Sequence, residues 1–507
     1  MSAPEGPDAR SADSRPEPGN PAHPGTGSSA RPPTHPRTGV AGLLRDGPPA
    51  GPTRPGFWRS PLRGPWLTSV FGAVLLVGIP LMFVTGLLSY AAYNPDLGGN
   101  DKTPDRGWLG FYLFPWPTDP HWLYRLTQGV HVTLGIVLIP VLLAKLWSVV
   151  PRLFSWPPVK SLSHALERLS LLLLVGGVLF EFATGLLNIQ LDYVFPGSFY
   201  TLHFYGAWVF IGAFVVHVAF RVPLMVRMLR EGGLREELRR PGAGARADGR
   251  GTDRAPGPTG PAGPSDVADP AGPSDSAEPS GPADPKGPAD ETGLTAPEPA
   301  APTISRRGAL GMVGAGSLLL LAMTAGQSIG GAWRGTALLA PRGQDPGPGP
   351  NGFQVNKTAA GVGIRPRDVG SAWRLVVRGQ GRERVLTRSQ VLALPQHSAA
   401  LPIACVEGWS TEDQLWSGVR LRDLAALVGF AELAPGVFVQ SAQRSGSFRS
   451  TTLRDNQVRD ARSLLALRVN GADLSADHGY PARVIVPANP GVHNTKWVTT
   501  LTFGDSA

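Results

Sequence analysis

Four apolar runs in close succession constrain this chain more than anything else in it: Trp66–Tyr90, Arg125–Val150, Leu166–Gln190 and Tyr200–Leu229. Each is long enough to cross a hydrocarbon core of about 30 Å as a helix. One such run could be a buried helix of a soluble protein, but four in a row read as a membrane bundle. Trp66, Tyr90, Trp147 and Tyr200 sit near the ends, where amphipathic rings anchor a span at the interface. Charged residues make up 17% of the 507-residue chain, below the roughly 25% of a soluble domain. Residues 64–230 are therefore expected to form an all-α transmembrane four-helix bundle.

Outside this unit the composition changes. Residues 1–63 and 231–304 are rich in Pro and Gly and lack an apolar period. Such segments bury too little surface to offset chain entropy, so they read as a disordered tail and a disordered linker. Arginines precede the first run (Arg45, Arg54, Arg59, Arg63) and follow the fourth (Arg227, Arg230, Arg235, Arg239, Arg240), with Arg152, Lys160 and Arg168 around the second loop. The first loop, 91–124, is acidic and aromatic. The positive-inside rule then puts both ends of the bundle in the cytoplasm. The net charge of +9 follows this topology, and arginines scattered among prolines without interleaved aromatics argue against nucleic acid as a partner.

A fifth apolar segment, within 305–332, follows Ser305-Arg306-Arg307-Gly308-Ala309-Leu310. Two arginines before a span are also what positive-inside charge alone produces. The SRRxxL pattern resembles the twin-arginine export signal, although Ala309 stands where that signal usually has a bulky apolar residue. The resemblance implies the twin-arginine export machinery as a partner and a C-terminal domain assembled with its cofactor before export. The expected topology is five transmembrane helices in the cytoplasmic membrane, with the N-terminus inside and the C-terminal domain outside.

An ionisable residue inside a span is a functional candidate by default. His131, His164, His203 and His217 lie in or beside the bundle. His203 and His217 are fourteen residues apart, which returns to nearly the same helix face about 21 Å along the axis. Neutral imidazole is the ligand haem iron takes, so one or two b-type haems are expected, with His131 and His203 the better pair. Gly129, Gly135, Gly206 and Gly212 could let a flat porphyrin approach the backbone. The alternative is that the histidines bond between helices and the glycines are packing notches. Over residues 60–230 the unit resembles the bacterial membrane-bound cytochrome b class, which implies exchange of electrons with a quinone pool.

Residues 350–507 alternate strand-like runs (Arg374–Arg378, Val437–Gln440, Leu464–Val469, Ala482–Val486, Trp497–Phe503) with turns, plus a helical run at Leu421–Val428, and read as an α+β domain. Its lone cysteine, Cys405, ends a strand-like run before a glycine-containing turn. A lone cysteine is more often a small buried hydrophobe than a ligand. The stretch Cys405-Val406-Glu407-Gly408-Trp409-Ser410, then Trp416-Ser417-Gly418-Val419-Arg420-Leu421-Arg422-Asp423-Leu424, changes that balance. So does the later series Val469-Asn470-Gly471, Asp477-His478-Gly479-Tyr480-Pro481-Ala482-Arg483-Val484-Ile485-Val486-Pro487 and Lys496-Trp497-Val498. Together, over residues 370–505, they resemble the sulfite oxidase family of molybdopterin enzymes, including its bacterial methionine-sulfoxide reductase branch.

The resemblance implies that Cys405 is the protein thiolate on molybdenum and, with Arg483, belongs to the catalytic centre. Arg483 and Lys496 would meet the anionic cofactor or an oxyanion substrate, and His493 would be a further cofactor contact. His397 and His478 are candidates without a role, while Trp409 and Trp416 read as packing and Asn470-Gly471 as a hairpin turn. The expected function is a membrane-anchored molybdopterin oxidoreductase that transfers an oxygen atom outside the membrane, either reducing a small or protein-bound S-oxide or oxidising a sulfite-type substrate. The stretch is shorter than the family's full catalytic domain. The alternative is therefore a cofactor-less outer module on a haem b electron-transfer or redox-sensing protein.

Overall fold

The computed structural model describes residues 51–53, 57, 64–100, 114–156, 158–189, 198–231, 304–339, 347–446 and 448–504. The expected N-terminal tail and linker lie almost wholly outside these residues. Six helices build the apolar part: α1 (Pro65–Ala92), α2 (Leu123–Val137), α3 (Ile139–Leu153), α4 (Leu162–Asn188), α5 (Phe199–Glu231) and α6 (Arg306–Thr324). Among the described residues four helices are long and apolar enough to cross a membrane, and α2 with α3 makes a fifth if the bent pair is one span. Their outward faces carry Val77, Leu126, Leu172, Val209 and Leu318 in the open, the pattern of helices solvated by hydrocarbon.

Local chemistry sets the ends and the bend. Pro65 occupies the first turn of α1, where a missing N–H costs nothing. The second apolar run, expected as one helix, bends by 43° between α2 and α3. Pro140 is the cause, because it cannot donate to the carbonyl one turn back. Ser305 caps α6 by accepting from the Gly308 amide at 3.1 Å, so the serine of the Ser-Arg-Arg sequence also has a purely helical task. Helix α1 packs on α2, α3 and α5, α5 on α4, and α6 on α2 and α3.

The C-terminal domain is α+β, with two sheets. One runs β2 (Arg382–Thr387), β1 (Arg374–Gly379), β10 (Val498–Phe503), β5 (Val437–Ser441), β6 (Ser450–Leu453), with only β1 and β10 parallel. The other runs β3 (His397–Leu401), β4 (Gln414–Arg420), β7 (Leu464–Val469), and β8 (Ala472–Asp473) and β9 (Arg483–Ile485) share the far edge of β7. From Leu464 to Leu467 strand β7 is apolar without alternation because both its faces are covered there, and only Arg468 is exposed. Leu465 and Leu467 enter the core between the sheets, while Leu464 and Ala466 enter a second cluster with Cys405, Trp409 and Trp416. Asn470 and Gly471 both take positive φ (50° and 85°) and close the β7–β8 hairpin as the sequence expects.

The register of β4 slips between Ser417 and Gly418, and a Cβ on Gly418 would stand 2.0 Å from the Leu465 carbonyl oxygen. Gly418→Ala should therefore cost about 3 kcal/mol or more. The check is a denaturant midpoint for the domain, and an unchanged midpoint would contradict this packing.

Candidate functional site

Cys405 stands on a tight loop between β3 and β4, buried at 1% exposure. Its amide donates to the Trp409 carbonyl (2.9 Å), and the Gly408 amide returns to the Cys405 carbonyl (3.1 Å). Gly408 has φ +85°, and a Cβ there would lie 2.7 Å from Val132 on α2. That position therefore needs glycine for backbone shape and for closeness to the helix. The loop is held on the ends of the apolar helices. The Ser410 amide donates to Gln327 O (2.9 Å), Ser410 Oγ to Ser328 O (2.6 Å), Ser328 Oγ to Gly408 O, and Gln128 Nε2 to Val406 O.

The first inter-helix loop grips the same domain. Trp116, fully buried, donates to Ala488 O (2.8 Å); Asn100 bonds both to Thr452 O and to the Thr452 amide (2.8 Å each). Arg462 pairs with Asp119 at 2.9 Å. Tyr93, just beyond α1, packs edge-on against His493 with ring centroids 4.9 Å apart. The Cys405 loop therefore lies at the junction between the domain and the helices.

Two buried cations stand near the thiol. Arg483 and Lys496 flank Gly479, whose Cβ would meet Lys496 at 3.0 Å and Arg483 at 3.2 Å. Arg483 donates to His478 O and Asn494 O (3.1 Å each) and stacks over Trp416, but among the described residues its Nε has no hydrogen-bond partner. Lys496 Nζ donates to the Lys357 and Asp477 carbonyls (2.9 and 2.8 Å). Among the described residues neither cation has a carboxylate within ion-pair distance. Burial accordingly pushes the Arg483 guanidinium down to about 9 and the Lys496 ammonium well below its ordinary value. A small cleft of about 20 Å³ opens beside Lys496, lined also by Asn356, Lys357, Gln443 and Phe448. Unneutralised buried cations with a spare N–H suit an anionic group that brings its own acceptors.

A second centre lies within the bundle, in a mostly apolar cavity of about 190 Å³. His131 and His203 face each other across it, ring centroids 6.1 Å apart. His131 Nδ1 bonds to Met82 O (2.9 Å) with Thr85 Oγ1 at 3.3 Å. His203 Nδ1 lies 3.2 Å from Glu181 Oε2 and 3.2 Å from Thr184 Oγ1. Holding Nδ1 fixes each ring and leaves Nε2 as the ligand atom. Metal–nitrogen bonds of about 2 Å on both sides would separate two ring centroids by roughly 6 Å, so the pair can hold one metal atom between them. Val406, the neighbour of Cys405, lines this same cavity.

Residues 363–507 match the family model for the oxidoreductase molybdopterin binding domain. The C-terminal unit is a molybdopterin-binding oxidoreductase domain. The chain is 33% identical over 132 residues to an uncharacterized oxidoreductase, YuiH, of Bacillus subtilis, covering 26% of this chain and 65% of the relative. It is 29% identical over 165 residues to mitochondrial sulfite oxidase of Drosophila melanogaster, 28% of each chain. It is 26% identical over 169 residues to NADH nitrate reductase of Volvox carteri, 28% of this chain and 20% of that one. The chain thus spans less than two thirds of the length of each.

Within the molybdopterin-binding domain Lys496 has both Cys405 and Arg483 as charged neighbours, and His493 packs against Tyr93. His397 instead pairs with Asp423 (3.4 Å) at the start of β3. His478 is engaged at both nitrogens, with Ser475 Oγ (2.8 Å) and Phe353 O (3.0 Å). Trp409 and Trp416 are packed in the cluster around Cys405. In the bundle, His164 sits in the first turn of α4, where its amide donates to the capping Ser161 Oγ, and His217 has Lys145, Arg221 and Arg152 as its charged neighbours. Neither lines the histidine cavity.

The glycine expectation needs correction. Gly129 faces Ser328 and Gly206 faces Glu181 and Phe180, so both serve close helix packing, and nothing lies within 4 Å of a Cβ on Gly212. Of these four glycines Gly135 alone lines the cavity. The glycines that make room for the imidazoles are Gly86 and Gly185, whose Cβ atoms would stand 3.1 and 3.2 Å from His131 and His203. A signal for them exists in the sequence: Phe83-Val84-Thr85-Gly86-Leu87-Leu88 on α1 recurs as Phe182-Ala183-Thr184-Gly185-Leu186-Leu187 on α4.

Burial pushes the His478 imidazole down to about 3, with the Arg483 and Lys496 charges adding to the effect. Between pH 6.5 and 3 the unfolded chain binds a proton that the folded chain refuses. Stability held above pH 6.5 should therefore fall as pH drops through that window. His478→Gln should show a shallower loss between pH 7 and 4 in denaturant titrations, and equal slopes would assign the loss to other groups.

Proposed function

We propose that this chain is a membrane-anchored molybdopterin oxidoreductase in which a b-type haem, held by His131 and His203, exchanges electrons with a quinone pool and with a molybdenum centre on Cys405. The single observation that carries this reading is Val406: it adjoins Cys405 and lines the cavity into which both imidazoles project. Molybdenum would supply two-electron oxygen-atom exchange and the haem one-electron steps. The chain's own residues have distinct tasks. Arg483 and Lys496 neutralise the anionic cofactor or substrate, and the loop bonds from Gln327, Ser328 and Gln128 hold Cys405 against the helices. Met82, Thr85, Glu181 and Thr184 orient the two rings. Tyr93 and Trp116 exclude water from the junction.

S-oxide reduction is the preferred direction, on the resemblance of Cys405-Val406-Glu407-Gly408-Trp409-Ser410 to the methionine-sulfoxide reductase branch. Sulfite-type oxidation is the competing direction, and assays with both substrate classes separate them. Loop one and the molybdopterin-binding domain lie on the same end of the helices, which supports an extracytoplasmic site under the positive-inside orientation.

The deciding experiment is the metal content of the full chain purified in detergent. Equimolar molybdenum and iron is the expected result. Iron without molybdenum would make the outer domain a binding module on a haem protein. Molybdenum without iron would make the histidines structural, and iron at twice the molybdenum would require a second site involving His217 or His164.

A further inference from the structure

Gln128 is buried on α2 one turn before His131, so the two side chains leave neighbouring positions of one helix face. Its amide is engaged at both ends: Oε1 accepts from Ser89 Oγ on α1, and Nε2 donates to Val406 O. Gln128 and Val406 both line the histidine cavity. One hydrogen bond therefore joins the residue after Cys405 to the helical turn that carries His131.

We propose that Gln128 is the positioning residue of the electron path between the Cys405 centre and the His131–His203 centre. This rests on the reading that those centres hold molybdenum and haem. The bond fixes the Val406–Glu407 peptide, one residue beyond Cys405, directly against the His131 turn. Each passage moves one electron, and two passages accompany one oxygen-atom transfer. In the reducing direction quinol gives up two electrons and two protons and becomes quinone. The S–O bond breaks, the sulfide leaves, and the oxygen departs as water with two protons.

Holding the loop in place does not depend on Gln128 alone. Ser328 donates to Gly408 O, Ser410 returns to Ser328 O, and Arg125 Nε bonds Ser328 O at 3.1 Å. A Gln128 variant should therefore stay docked and loaded, while its electron path lengthens or loosens.

The test uses the full detergent-purified chain, reduced with a quinol analogue and mixed rapidly with an S-oxide, following haem re-oxidation by absorbance. Gln128→Leu and Gln128→Met fill similar space without a donor. Both should re-oxidise about tenfold more slowly or worse, the scale on which supporting contacts act. Metal contents, haem spectrum and both midpoint potentials should match the parent chain. Arg462→Gln, which loosens the domain's hold on Asp119 of the first inter-helix loop and touches neither the Cys405 loop nor the His131 turn, should stay close to the parent rate. Parent-like rates in both Gln128 variants would overturn the proposal, as would an equal slowing in Arg462→Gln or loss of either metal from both variants. A parent chain without iron would overturn the haem reading itself, and this proposal with it.

Discussion

Cys405→Ser should leave a folded chain with almost no oxygen-atom transfer. The loop is shaped by backbone bonds at Cys405 N and O and by the glycine at 408, none of which needs the sulfur. Serine is nearly isosteric but puts a hydroxyl into a buried apolar cluster, so the domain should lose about 1–2 kcal/mol and remain folded. What changes, under the proposed function, is the metal ligand: a hard, protonated hydroxyl would replace a soft thiolate. Loss of a ligand atom should exceed the roughly 10–100-fold cost of losing a supporting residue. Turnover and molybdenum content measured on the same sample check this. Parent-like turnover at full molybdenum would remove Cys405 from the reaction.

The second large effect is expected in the bundle. If the proposed haem is bound there, His131→Leu and His203→Leu should each abolish its absorbance, because each removes one of the two imidazoles that line the cavity among the described residues. His217→Leu should leave it in place, since that residue lies outside the cavity. Molybdenum content should be unaffected in all three, because the Arg483–Lys496 region is built by the outer domain. Retained absorbance in both His131 and His203 variants would assign the iron elsewhere.

Much of this architecture is legible in the sequence because its signals are local. The apolar runs fix the helices, and the apolar stretch Leu464-Leu465-Ala466-Leu467 marks a strand segment buried on both sides. Cys405, Arg483 and Lys496 are visible because two contiguous motifs carry them. The His131–His203 pair follows from their similar depth in the second and fourth runs. Strands β2 and β3 escape notice because their exposed residues and polar neighbours give no clean alternation. The bend at Pro140 is legible only to a reader who weighs one proline against a long apolar run.

The contacts that join the two centres are another matter. Gln128 reaches Val406 across 278 residues, and Ser328 reaches Gly408 across 80. A glutamine and a serine near helix ends are ordinary in composition. Nothing local distinguishes them from solvated polar residues. Gly86 and Gly185 fall between these cases, since the repeated Phe-x-Thr-Gly-Leu-Leu segment is local twice over but gains meaning only when each copy is set beside its histidine.

The grip of the first inter-helix loop on the outer domain has a kinetic consequence. Asn100, Trp116 and Arg462 fasten the two parts of one polypeptide, so under the proposed function no diffusional encounter would precede their exchange of electrons. For separate proteins such a rate would scale with the concentration of the partner. Here the effective concentration is set by the fold itself, and dilution should not touch it.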